Sequence, residues 1–273
     1  MLRTIVTWTL AVVVTLSAAV YQRLTGPTYP LRGELQIAGQ PLPFKLPRSF
    51  GGPGGPEIAL ELPGFDGEAT LSYRRYKVGE PMTRVPMQRE GDRISATLPH
   101  QPPAGKLEYF VELRDASGTT AAPAGRTAVI RFKGAVPAAF LIPHVLFMFI
   151  AMLLSNRAGL EALLGGPRLA RYALLATVAL LLGGMVLGPV VQKYAFGAFW
   201  TGVPFGFDLT DNKTLLAMIG WTLALWQAAW RRTPSARWWV LSAAVLLLLI
   251  YSVPHSMLGS ELDYTSGQVV TGD

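Results

Sequence analysis

AVPAAFLIPHVLFMFIAMLL, residues 135–154, carries no charged side chain, and its reading decides the class of fold. An α-helix rises 1.5 Å per residue, so about 20 apolar residues span the ~30 Å hydrocarbon core of a bilayer. Working outward, Thr4 to Gln22 is an uncharged run bounded by Arg3 and Arg23, and Tyr172 to Val191 is another. Thr214 to Trp230 is shorter, and Trp238 to Val253 is strongly apolar. These runs predict a bundle of five transmembrane helices. The composition agrees: 51% of residues are hydrophobic and only 15% charged, with a mean hydropathy of +0.34, whereas soluble domains carry roughly 25% charge. Cysteine is absent, which excludes disulfides, thiolate metal sites, thiol catalysis and covalent attachment of haem through CxxCH.

The first run also fits a signal peptide, because Ser17-Ala18-Ala19 resembles a small-residue cleavage site. The apolar stretch continues past that point and almost nothing basic precedes it. A retained helix over residues 1–24 is therefore expected, and either outcome places the following segment outside.

Residues 25–134 have a different texture, with short alternating runs divided by Gly, Pro and Asp. Leu107, Tyr109, Val111 and Leu113 alternate with Glu108, Phe110, Glu112 and Arg114, which is the period-two pattern of a strand. Ile94, Ala96 and Leu98 share one face of a second strand, and Glu90-Gly91-Asp92 supplies a hairpin turn from Arg84 to Arg89. Further strands are predicted over 33–38, 57–62, 69–77 and 127–133. About seven short strands suit a two-sheet sandwich. The segment from Gly105 to Asp115, followed by Gly118, resembles the late strand of immunoglobulin-like and fibronectin type III-like domains. That resemblance covers this domain alone; it implies an all-β sandwich inserted between the first and second helices, and a habit of mediating contacts rather than a reaction.

Orientation follows from the positive-inside rule. Arg157, Arg168 and Arg171 separate the second and third helices, and Arg231, Arg232 and Arg237 the fourth and fifth. Those connections belong inside. The sandwich, an aromatic loop over 192–213 and the tail over 257–273 then lie outside a bacterial-type inner membrane, with the N-terminus inside and the four-helix region over 135–256. The net charge of +7 is accounted for by this topology and by contact with anionic lipid, so no nucleic-acid partner is expected.

Candidate chemistry is sparse. There is no GxSxG, HExxH or Rossmann fingerprint, and the Gly51–Pro56 stretch lacks the Lys-Ser/Thr ending of a phosphate loop. His144 in Ile142-Pro143-His144 and His255 in Val253-Pro254-His255 stand at the same predicted boundary. They offer axial imidazoles for a b-type haem, or join Asp208, Asp211, Glu261 or Asp263 at a metal; the plainer reading makes them interfacial polar residues, with Thr210 or Asp211 capping the fourth helix. Gly184 and Gly188 form a small-xxx-small pair for helix packing. The loop concentrates Phe196, Phe199, Trp200, Phe205 and Phe207, an aromatic load that should not be left in water. These features predict a non-enzymatic accessory or scaffolding subunit without a cofactor, contacting other membrane-complex subunits. A haem-bearing electron-transfer protein is the alternative.

Overall fold

The computed structural model describes every residue except Ala38, Ser117, His255, Ser256, Leu258, Gly272 and Asp273. Helices and β-sheets occupy two compact units: one comprises Met1–Pro27, Val136–Ser260 and Thr271–Asp273, the other Thr28–Ala135 and Glu261–Val270.

The first unit is helical. Its described residues form α1 (Leu2–Thr25), α2 (Ala138–Leu163), α3 (Leu169–Phe196), α4 (Leu209–Leu225, continued as a wider π turn over Trp226–Arg231) and α5 (Ala236–Ser252). The first three are long and apolar enough to cross a membrane, and α5 is a shorter apolar helix. α2 runs well beyond the boundary expected at Leu154, because Arg157 and Glu161 stand one turn apart as a buried ion pair rather than as loop charges. Arg157 thus lies within α2 and not in the connection that follows it. Within α3, Leu181–Leu187 opens into a π turn. Pro189 follows, without an N–H and with a ring that crowds the preceding turn; the wide turn absorbs it, with the Gly188 N–H donating to the Gly183 carbonyl. The buried core of this unit is mostly alanine, grouped around Trp221 and Tyr172.

In the second unit, β9 (Lys106–Asp115) is central. On one side it pairs with β5 (Glu68–Arg75), and on the other with β11 (Ala128–Lys133) and β10 (Gly118–Ala122). β3 (Ser49–Gly51) and β6 (Thr83–Pro86) complete this sheet. A second sheet holds β4 (Glu57–Glu61), β8 (Arg93–Thr97) and β7 (Gln88–Glu90), while β1 (Leu31–Ile37) and β2 (Gln40–Leu46) form a hairpin. All these sheets contribute to one hydrophobic core, in which Leu107, Tyr109, Val111 and Leu113 are buried as their alternation predicts.

Two local departures have physical causes. The run expected over Arg84–Arg89 is divided: β6 pairs with β5, and β7 with β8. Pro86 stands opposite Thr70 where its nitrogen faces away from β5, and the Met87 N–H still donates to Ala69 O at 2.9 Å before the chain passes to the other sheet. β2 was hidden by Pro41 and Pro43. The pair Ile37 and Gln40 closes the hairpin, so alternate residues such as Pro41 and Pro43 turn their backbone nitrogens away from β1, where no ladder bond is lost. The tail supplies two further short strands, β12 (Ser260–Leu262) and β13 (Val269–Thr271). In the β unit, Glu261 pairs with Lys106 at 2.5 Å and the Tyr264 hydroxyl accepts from the Lys106 N–H at 3.0 Å.

Candidate functional site

The aromatic loop is held from beneath by the first turn of α4. Asp208 is its N-cap: Oδ1 accepts from Thr210 N at 2.8 Å and from Asp211 N at 3.4 Å, satisfying donors that a helix start leaves open. The other oxygen accepts from the backbone N of Ser260 at 2.9 Å and its hydroxyl at 3.1 Å. Capping therefore falls to Asp208, which the sequence offered only as a metal ligand, rather than to Thr210 or Asp211, and Asp211 is released for another task. Its Oδ2 accepts from Thr201 N at 2.6 Å, Gly202 N at 3.0 Å and Gln192 Nε2 at 3.1 Å. Asn212 accepts from Val203 N at 2.7 Å.

Gly202 is required for this closure. A Cβ there would stand 2.6 Å from the Asp211 Cβ, closer than real carbons approach. With the backbone pinned, the side chains are displayed: Phe205 is 82% exposed, Phe207 78% and Phe199 57%. Trp200 donates its indole N–H to Val203 O at 3.1 Å, and Phe196 and Trp200 are half-buried. Thus the Asp211 carboxylate and the Asn212 amide fix a loop that presents three phenylalanines outward.

His144 lies on α2 with Nδ1 2.9 Å from the Gly183 carbonyl, inside the π turn of α3. It lines a cavity of about 160 Å³ together with Thr15, Gln22, Met148, Met152 and Tyr251. As it stands this is smaller than the ~300–1,000 Å³ of pockets that enclose drug-sized ligands, and a haem is larger still. His255 lies outside the described residues. Among the four acids considered for a metal, Asp208 and Asp211 accept from protein donors as above. Glu261 pairs with Lys106, and Asp263 closes a turn by accepting from Thr265 N at 2.8 Å and Ser266 Oγ at 2.7 Å. Burial holds the Lys106 ammonium below the usual lysine range, an effect its bond to Glu261 opposes. Among the described residues no group of three or more His, Asp or Glu is placed to hold a metal.

Glycine packing is uneven along α3. A Cβ on Gly184 would lie 2.7 Å from Thr214 Cγ2, and one on Gly183 2.9 Å from Phe147 Cβ; one on Gly188 would make only ordinary contacts.

The site that sequence reasoning missed is Arg157. It is 3% exposed and Glu161 6%, with Nη1 and Oε2 2.8 Å apart. The guanidinium lies 4.4 Å from the Tyr172 ring centroid and 5.7 Å from that of Trp8. The Arg-x-x-x-Glu spacing was the available signal, since it places opposite charges on one helix face. No protein family's sequence pattern matches the chain, and no curated protein matches it.

Proposed function

We infer that the chain is a non-enzymatic, multi-pass membrane subunit that docks to another membrane protein through its aromatic loop. In this reading the helices lodge in a bacterial-type inner membrane, and the β unit is an immunoglobulin-like sandwich on the outer side with the loop. The observation that carries it is the pinned display: the side chains of Asp211 and Asn212 accept from three successive backbone N–H groups, of Thr201, Gly202 and Val203, while Phe199, Phe205 and Phe207 remain exposed. Preorganised aromatic groups are what a contact surface needs, because little entropy is then lost on docking. The apolar exterior of the helices supports the bilayer as their solvent.

A photoreactive phenylalanine analogue placed at 205 or 207 in intact membranes tests the reading. A discrete protein adduct of constant mass, lost when Asp211→Ala loosens the loop, is the expected result. Adducts to lipid alone would remove the docking role and leave the loop as a membrane-surface anchor.

A further inference from the structure

His144, Met148 and Met152 follow at i, i+4 and i+8, which places them on one face of α2. All three line the same cavity of about 160 Å³. Methionine at helical spacing is ordinarily a core filler, so the case rests on what surrounds the three residues.

The other polar groups around the cavity are engaged, apart from the Gln22 amide oxygen. The Gln22 amide donates to the Tyr251 carbonyl at 2.8 Å, and the Tyr251 hydroxyl donates to the Met148 carbonyl at 3.1 Å. The Thr15 hydroxyl donates to Ala11 O at 2.7 Å and accepts from Asn156 Nδ2 at 3.0 Å. His144 makes one bond and keeps a ring nitrogen free. The Gly183 carbonyl has no proton to give, so Nδ1 must be the donor, and the neutral ring then carries its lone pair on Nε2. Anchoring one ring nitrogen on a backbone carbonyl is also how metal-ligating histidines are oriented. The anchoring carbonyl belongs to a π turn, a distortion that concentrates at functional sites. What remains unspent is one imidazole nitrogen, two thioether sulfurs and the Gln22 amide oxygen, so soft donors outnumber the one hard neutral oxygen.

We propose that this cavity is a Cu(I) site, with His144 Nε2 and the sulfurs of Met148 and Met152 as its ligands. Thioethers are soft donors that select Cu(I) over zinc or the hard divalent ions, and no carboxylate lines the cavity to favour the latter. Three neutral ligands leave a single positive charge, the smallest that a metal can bring into an apolar bundle. The site is independent of the loop and of the docking role.

The test uses the full-length protein in detergent under anaerobic, reducing conditions, with Cu(I) partitioned against bicinchoninate. One Cu(I) per chain is expected. The double variant Met148→Leu/Met152→Leu, which conserves side-chain volume, should bind at least ~10-fold more weakly. Met185→Leu/Met218→Leu should bind as the parent does. X-ray absorption of the loaded protein should show sulfur together with nitrogen in the first shell. The assignment is overturned by the absence of Cu(I) binding, by affinity that survives loss of both thioethers, or by a Soret band that depends on His144, since the imidazole would then be committed to haem iron.

Discussion

In the β unit the largest side chains are the hidden ones: Leu71, Tyr109, Ile130 and Phe132 are at most 1% exposed. In the helical unit the hidden residues are chiefly small, among them Ala151, Ala158, Ala173 and Ala224, while Leu146 is 56% exposed, Leu249 61% and Trp230 69%. One chain therefore follows two opposite burial patterns. In water the hydrophobic effect drives large apolar groups inward at about 25 cal/mol per Å². In lipid that force is missing between helices, and close backbone approach through small residues takes its place. The contrast teaches that the two units bury opposite kinds of side chain, which is the physical support for the proposal that the helical unit has a bilayer as its solvent.

The largest effect should come from the β core. Phe132→Ala removes a side chain packed edge-to-face against Phe50 and His100, and should destabilise the β unit by about 3–5 kcal/mol. Proteolysis or hydrogen exchange of the full chain in detergent would read this out, with peptides from 57–133 losing protection first. A loss below 1 kcal/mol would mean that this core is not close-packed and would erase half of the contrast.

Next in size is Leu146→Asp, on the exposed face of α2. A surface position in water tolerates such a change within about 0.5 kcal/mol, whereas aspartate at the centre of a membrane helix costs about 2.5–3.5 kcal/mol. Membrane insertion of the variant, scored by glycosylation or protease protection, should fall sharply. Normal insertion and yield would break the comparison at its root.

The two patterns also explain what was legible beforehand. Alternation along Leu107–Leu113 was readable because that strand has one buried apolar face and one half-buried face that carries Glu108 and Glu112. The uncharged runs were readable because lipid requires long apolar segments. Illegible features were those in which a polar residue is spent locally. Pro41 and Pro43 sit in β2 at positions with no ladder bond to lose. Arg157 and Glu161 look like loop charges until their pairing and the Tyr172 ring are seen. The cap expected at Thr210 or Asp211 falls instead to Asp208, because helix capping depends on which residue leaves helical geometry first, and no periodicity encodes that. The tail's strands are three residues each, too short to show a period.

A third prediction concerns polar anchoring in the helical unit. Asp211→Ala leaves the buried Gly202 N–H, the Thr201 N–H and the Gln192 amide without their shared acceptor. Hydrogen bonds to charged groups are worth about 1.5–3 kcal/mol, and a loss of that order should appear as faster cleavage by protease within 197–207. The α2–α3 packing, which depends on Gly183 and alanine, should be untouched. Simultaneous loosening of the bundle would show that loop and helices are one cooperative element.

The smallest effect sharpens the contrast in charge. The helical unit buries its Arg157–Glu161 pair, but the β unit keeps Arg75 and Glu80 at its surface, with side chains 44% and 28% exposed. Glu80 accepts from Arg75 N, Nε and Nη2 at 2.7, 2.9 and 2.6 Å. Those bonds from the Arg75 side chain and backbone hold its carboxyl below the ordinary glutamate range. A carboxyl depressed in the fold releases its proton more readily there than in the unfolded chain, so its stabilisation is present above the unfolded value of about 4.3 and disappears as pH falls through the folded one. Comparing the parent with Glu80→Gln isolates this group from the other acids. Their difference in β-unit stability should be small at pH 6, as solvent screens an exposed pair, and should vanish near pH 2. A difference that grows on acidification would reverse the sign and assign the bond energy to the protonated carboxyl instead.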